Sequence, residues 1–274
     1  MLDYRELSIK IRVMCLKMIY TAREGHIGSS LSCVDILISL YFDVMKIDVN
    51  RPRWIDRDRF VLSKGHAAPA LYVILAIKGF FPLDTLKTFR QYNSILQGHP
   101  DMTKTPGIDM SSGSLGNGLA CSVGMALWAK KNNKKYNIYT LIGDGEMQEG
   151  IIWEAAMTAS HFKLDNLIVI LDYNKLQING KVADIMNVEN IQLKWEAFGW
   201  KTVRVDGHNL CKVSESIIKM RDTRDGRPSI VIADTIKGKG ILYMENKPEW
   251  HSKIPNENEF FEALELLKRG DTIE

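Results

Sequence analysis

Apolar residues recur along this chain with two different periods. Short apolar runs over Phe60–Leu62, Ile138–Ile142, Leu167–Leu171, Thr202–Val205 and Ile230–Ala233 are too brief for helices and rich in β-branched residues, so they predict buried strands. Between them, apolar positions spaced by three and four predict helices over Tyr4–Arg23, Ser32–Phe42, Ala67–Lys78, Asn117–Lys131, Glu149–Phe162, Ile191–Phe198 and Leu210–Arg221. The first shows the pattern clearly, with Leu7, Ile11, Met14, Met18 and Ile19 on one face. Strands that alternate with helices imply an α/β fold, a doubly wound and mainly parallel sheet with helices on both faces. Without a repeat, a low-complexity tract or a Pro/Gly/Ser-rich linker, residues 1–274 read as a single domain, with 257–268 as a peripheral C-terminal helix.

The stretch Ile138–Lys181 adds chemistry to this architecture. Its first strand ends at Gly143-Asp144-Gly145, which places one carboxylate at the carboxyl edge of a buried strand, where open α/β sheets bind ligands. Helical spacing of Ile152, Ala155, Ala156 and Ala159 follows, so backbone N–H groups at that helix start are expected to face an anion. The next strand delivers Asp-x-Asn, ending in Asn174. A hard carboxylate oxygen from Asp144, an amide oxygen from Asn174 and a nearby backbone carbonyl make an oxygen shell suited to Mg²⁺, with Ca²⁺ or Mn²⁺ as substitutes. A metal-held diphosphate fits such a pocket, and a thiamine diphosphate site is built this way. Taken alone, Gly-Asp-Gly is more often an ordinary turn; the amide-bearing residue one helix and one strand later makes the pattern specific.

With that spacing, the segment resembles the thiamine diphosphate motif in its transketolase form. Further matches run in the family's order through Gly25-His26-Ile27-Gly28, Leu62-Ser63-Lys64-Gly65-His66, Gly98-His99-Pro100 and Gly113-Ser114-Leu115-Gly116-Asn117-Gly118. Two positions depart from the family pattern: Tyr173 replaces the first residue of its Asn-Asn or Asp-Asn pair, and Trp250-His251-Ser252 replaces its His-Gly context. The resemblance implies Asp144, Asn174 and the main-chain carbonyl of Leu176 as metal ligands. It implies contact with thiamine diphosphate from His66, His251, Gly113, Ser114, Leu115, Gly145 and Asn174. It places His26, His99 and His251 along the sugar, with His26 and His251 as catalytic imidazoles, since carbon–carbon cleavage between a ketone and a carbinol needs groups that donate, accept or relay protons near neutral pH. His161 and His208 receive no family role. Glu149 and Glu154 read as exposed helix carboxylates, and the resemblance sets their counterparts near a two-fold interface.

In this family, the glutamate that activates the cofactor ring and the apolar wedge that bends it belong to a pyrimidine-binding domain absent from these 274 residues. The implied protein is therefore the N-terminal subunit of a split transketolase, moving a two-carbon ketol unit from a ketose to an aldose. It would be active only with a separate C-terminal subunit, as an α2β2 assembly. The alternatives are the α-type subunit of a 2-oxo acid dehydrogenase, a deoxyxylulose phosphate synthase-like enzyme and a catalytically silent scaffold subunit. The sugar itself is not specified.

Composition narrows the remaining classes. The 36 basic and 33 acidic residues are interspersed and leave a net charge of +3, which gives no footprint for nucleic acid. No apolar run approaches the ~20 residues that cross a bilayer, and no signal-peptide pattern opens the chain, so no membrane role and a cytoplasmic location are expected. Cys15, Cys33, Cys121 and Cys211 lack paired spacing and read as reduced core residues.

Overall fold

A computed structural model describes residues 3–270. In chain order the elements are α1 (Tyr4–Ala22), α2 (Ile27–Ser32), α3 (Val34–Ile38), β1 (Arg59–Leu62), α4 (Ala68–Lys78), α5 (Asn117–Lys131), β2 (Ile138–Gly143), α6 (Gly150–His161), β3 (Leu167–Tyr173), α7 (Val182–Ile185), α8 (Ile191–Ala197), β4 (Lys201–Asp206), α9 (Leu210–Asp222), β5 (Ser229–Asp234) and α10 (Glu257–Arg269). The strands form one parallel sheet in the order β1-β2-β3-β5-β4. Alternate residues of each strand serve opposite faces. Tyr139, Leu141, Ile168, Ile170, Val231 and Ala233 pack with α1, α3, α4 and α9, whereas Ile138, Ile142, Leu167, Val169, Leu171, Ile230 and Ile232 pack with α5, α6 and α8. The doubly wound α/β expectation is borne out, and its two-sided burial explains why the strands read as uninterrupted apolar runs.

Handedness accounts for the layering. From β1 to β2 to β3 to β4 the chain moves one way across the sheet, and the helices that lead into β2, β3 and β4 (α5, α6 and α8) lie on one face; from β4 back to β5 it reverses and α9 lies on the other, with α4. Leaving the carboxyl edge, β1 and β5 feed the first face through α4 and α10, while β2 and β3 feed the second through α6 and α8. Diverging exits open a crevice at that edge.

Two expectations change in detail. The helix predicted over Ser32–Phe42 starts earlier and breaks, as α2, then α3 from Val34, then a π-turn over Ser39–Val44. A π-turn lets a segment change face without leaving the core. The helix expected over Glu149–Phe162 forms as α6, with Glu149 and Phe162 as its caps, and a 3₁₀ turn over Gly145–Gln148 separates it from Gly143-Asp144. All four cysteines are free, but only Cys15 and Cys33 are buried; Cys121 and Cys211 are exposed on α5 and α9, because their helices turn those positions outward. The C-terminal helix α10 is held by an Asn256–Glu259 capping box and rests on α1, where Phe260 stacks on Tyr20 at 3.9 Å and Leu267 is buried. Among the described residues no helix is long and apolar enough to cross a membrane.

Candidate active site

A cavity of about 350 Å³ opens at the carboxyl edge and is lined by Lys64, His66, Gly143, Asp144, Gly145, Glu146, Asn174, Leu176 and Gln177 from the strand exits, with His26, Gly113, Leu115 and His251 closing it. Asp144 lies between two loops: one oxygen accepts the Gly145 N–H at 2.8 Å and the other accepts the Lys175 N–H. Asn174 folds back on its own loop, its Oδ1 accepting the Leu176 N–H at 3.1 Å. Burial, reinforced by the nearby Asp172 carboxylate, raises the Asp144 pKa to about 7.

Above this pair stand three imidazoles. The ring centroids of His26, His66 and His251 form a near-equilateral triangle with sides of 5.3, 5.1 and 5.3 Å. Burial, with neighbouring His99 and Arg90, lowers the His26 pKa to about 4; burial and Lys237 lower that of His251 to about 3; burial and Lys64 hold His66 well below the usual range. All three are therefore neutral at pH 7, each ring offering one donor and one acceptor.

Buried charge beneath the cavity is divided between paired and unpaired groups. Lys64 forms a salt bridge with Asp172, whose oxygens also accept the hydroxyls of Ser32, at 2.5 Å, and Thr235. Burial opposes both charges, yet their mutual attraction wins, holding the Asp172 pKa down and the Lys64 pKa up. Lys237 is only 1% exposed, and its ammonium meets neutral groups alone, His251 Nδ1 at 3.1 Å and the Gln177 carbonyl at 3.4 Å. Burial and the repulsion of Lys64 bring its pKa down to about 8. Glu146, 2% exposed, joins three motif loops by accepting the Gly116 N–H at 2.7 Å, the Gly143 N–H at 3.0 Å and the Ser63 hydroxyl.

The structure thus brings together His26, His66, Gly113, Leu115, Asp144, Gly145, Asn174, Leu176 and His251. Two candidates stand off. Ser114 is exposed and borders a neighbouring open groove with Ser111 and Asn117, and His99 is exposed, its ring 3.7 Å from where a Cβ on Gly113 would sit. Lys64, Asp172, Lys237, Gln177 and Glu146 were not singled out from the sequence. Lys237 carried a readable signal, a lysine ahead of Gly238 and Gly240 soon after an apolar strand; Glu146 carried none, since two of its three partners lie 83 and 30 residues away.

The residues fit a metal-held diphosphate. Among the described residues Gln177 Nε2 is a buried donor without a partner, and Lys237 is a buried cation with no carboxylate in salt-bridge contact. A Cβ at Gly145 would lie 3.1 Å from the Gln177 Cβ, so only glycine keeps the turn this close to the loop. Asp144 and Asn174 supply hard oxygen.

Comparison with known proteins agrees. Residues 4–265 match the family profile of the transketolase thiamine diphosphate binding domain. The chain belongs to the transketolase family. It is 44% identical to a 6-deoxy-6-sulfo-D-fructose transketolase subunit of Clostridium sp. (strain MSTE9), over 98% of either chain. Identity to an apulose-4-phosphate transketolase subunit of Phocaeicola vulgatus is 41% over 97% of this chain and 95% of that one. Against the crystal structure of transketolase from Campylobacter jejuni the TM-score is 0.91 at 33% identity, covering 98% of this chain but 43% of that one. This transketolase chain therefore corresponds end to end to one subunit of divided relatives and to less than half of an undivided one. Its parallel sheet is the thiamine diphosphate-binding domain of a transferase.

Proposed function

We propose that this chain is the diphosphate-binding subunit of a two-subunit transketolase that takes a two-carbon ketol unit from an anionic ketose and passes it to an aldose. The observation that carries the reading is the convergence, in one cavity, of a hard-oxygen pair (Asp144, Asn174) and three neutral imidazoles, with buried Lys237 directly behind two lining residues, His251 and Gln177. Anionic sugars are suggested by the relatives, two of which are named for a sulfonated and a phosphorylated ketose.

In this reading Asp144, Asn174 and the Leu176 carbonyl hold Mg²⁺, while Lys237 and Gln177 Nε2 meet the diphosphate. Bound thiamine diphosphate supplies the nucleophilic carbon that carries the transferred fragment between donor and acceptor. His26 and His251, neutral at pH 7, orient the sugar hydroxyls and move the proton between donor hydroxyl and carbonyl oxygen. His66 packs against both rings and fixes their tilt. Glu146 holds Gly116 and Gly143 in register, so the Gly113–Leu115 loop and the metal turn keep a fixed separation.

A partner supplies what the chain lacks. Trp128 on α5 and Met157 and Phe162 on and beside α6 are exposed apolar residues that a second polypeptide would cover, and Glu149 and Glu154 are exposed at the start of α6 and on it. The test is reconstitution: this chain, a C-terminal transketolase subunit from the same genome, Mg²⁺, thiamine diphosphate, a panel of ketose phosphates and sulfonates, and an aldose phosphate acceptor. The expected product is an aldose two carbons shorter than the donor. Cofactor binding without transfer across the panel would overturn the reading.

A further inference from the structure

A second buried network lies outside the cavity, centred on Asp35 of α3. This carboxylate, 2% exposed, takes the Arg12 guanidinium at 3.1 and 2.7 Å, the Ser8 hydroxyl at 2.6 Å and His208 Nδ1 at 2.7 Å. The other ring nitrogen of His208 accepts the Ile236 N–H at 2.9 Å. An accepting Nε2 puts the ring proton on Nδ1, aimed at the carboxylate. Arg12 extends a second arm, its Nε donating to the Lys239 carbonyl at 3.1 Å. One carboxylate therefore grips the chain at Ile236 and at Lys239, on either side of Lys237.

The grip has a physical purpose. A lysine on a four-carbon stem, buried against neutral partners, gains by swinging its ammonium out to water. Holding it inward requires a backbone that cannot follow. Gly238 donates its N–H to the Gly28 carbonyl at 3.1 Å, and a Cβ there would lie 2.6 Å from the Met244 carbonyl oxygen, so this turn has no slack. The Arg12–Asp35 pair is itself fully satisfied, which makes it a rigid anchor.

We propose that the Asp35 network is a clamp that presents Lys237 to the anionic ligand, with His208 as its positioning residue. The inference rests on the reading of Lys237 as the cation facing the cofactor diphosphate. Two amides divide the roles of the His208 ring. His208→Asn keeps a polar group near the Nδ1 position but loses the acceptor for Ile236; His208→Gln reaches the Nε2 position with an acceptor and gives up Asp35.

The full chain, titrated calorimetrically with thiamine diphosphate in excess Mg²⁺, is expected to bind about tenfold more weakly after either substitution, since each breaks one end of the Asp35–His208–Ile236 link. Hydrogen exchange at the Ile236 amide, read without ligand, should rise only in the first variant. In a Lys237→Ala background, His208→Asn should cost no further affinity, since both act through one ammonium. Additive losses, unchanged affinity in either amide variant, or unchanged exchange at Ile236 in His208→Asn would overturn the clamp while leaving the Lys237 reading in place. If Lys237→Ala alone leaves affinity unchanged, the Lys237 reading fails and the clamp with it.

Discussion

Asp144 and the imidazoles pull the pH dependence of stability in opposite directions. An ordinary carboxyl ionises near pH 4, whereas folded Asp144 ionises at about 7, so stability is lost as pH rises between these values, on the order of 4 kcal/mol. For His26 and His251 the folded values, about 4 and about 3, lie below the free imidazole value, so stability is gained as pH rises from those values toward about 6.5. The melting temperature of the free chain should therefore rise from pH 4 to 6.5, where two imidazoles outweigh one carboxyl, then fall toward pH 7. Asp144→Ala should steepen the rise, remove the fall, and abolish Mg²⁺-dependent cofactor binding in calorimetric titration. Cofactor affinity unchanged by that substitution would move the metal elsewhere. For His99, exposed beside Gly113, His99→Ala should leave cofactor affinity intact and lower donor kcat/KM by one to two orders of magnitude, about 1–3 kcal/mol of hydrogen bonding. Asp144 and Asn174 were legible in the sequence because strand, turn and helix fix their edge locally. Glu146 and His208 were not, because they acquire their meaning from partners as far off as Ser63 and Asp35, and a glutamate and a histidine are otherwise ordinary surface residues; Lys237 left only the trace of a lysine before two glycines.

Helix α5 shows how one element serves two surfaces. Its small residues look alike in the sequence, as packing against the sheet or as an interface. The structure separates them. A Cβ on Gly118 would come within 2.4–2.6 Å of the Ser63 side chain and backbone, while one on Gly124 meets nothing within 4 Å. Gly118→Ala should thus destabilise the chain by roughly 1–3 kcal/mol, because α5 must lift away from β1 and loosen the Ser63–Glu146 contact. Gly124→Ala should stabilise the isolated chain by up to about 1 kcal/mol through helix propensity. Thermal melts of the two variants check both signs. If Gly124 lies under a partner, the same change weakens assembly of the complex, which sedimentation would report. The other elements were legible wherever apolar period and length agreed; the break between α2, α3 and the π-turn was not, since Ser29, Ser30 and Ser32 are buried there and carry no periodic signal.

At the scale of the whole molecule, the two-subunit reading proposed above assigns the ring-activating carboxylate to the partner. Purified alone it should show no ketol transfer, and activity should appear when a C-terminal subunit is added in 1:1 ratio; turnover by the single chain, in material from a host lacking its own transketolase, would defeat the two-subunit reading. The sheet order carries one more consequence, for synthesis. β5 is the last strand to leave the ribosome, yet it lies between β3 and β4. Until residue 234 has emerged, the fully apolar-flanked strand β3 presents a bare edge, a state that favours aggregation. A chain ending at Pro228, with four of its strands present, should accumulate in inclusion bodies; a soluble fragment that melts cooperatively would refute this order of assembly. Lys237 follows β5 by three residues, so the strand that closes the sheet also brings in the last cation of the pocket. A nascent or misfolded chain cannot hold the cofactor, and cofactor capture becomes a report that folding is finished.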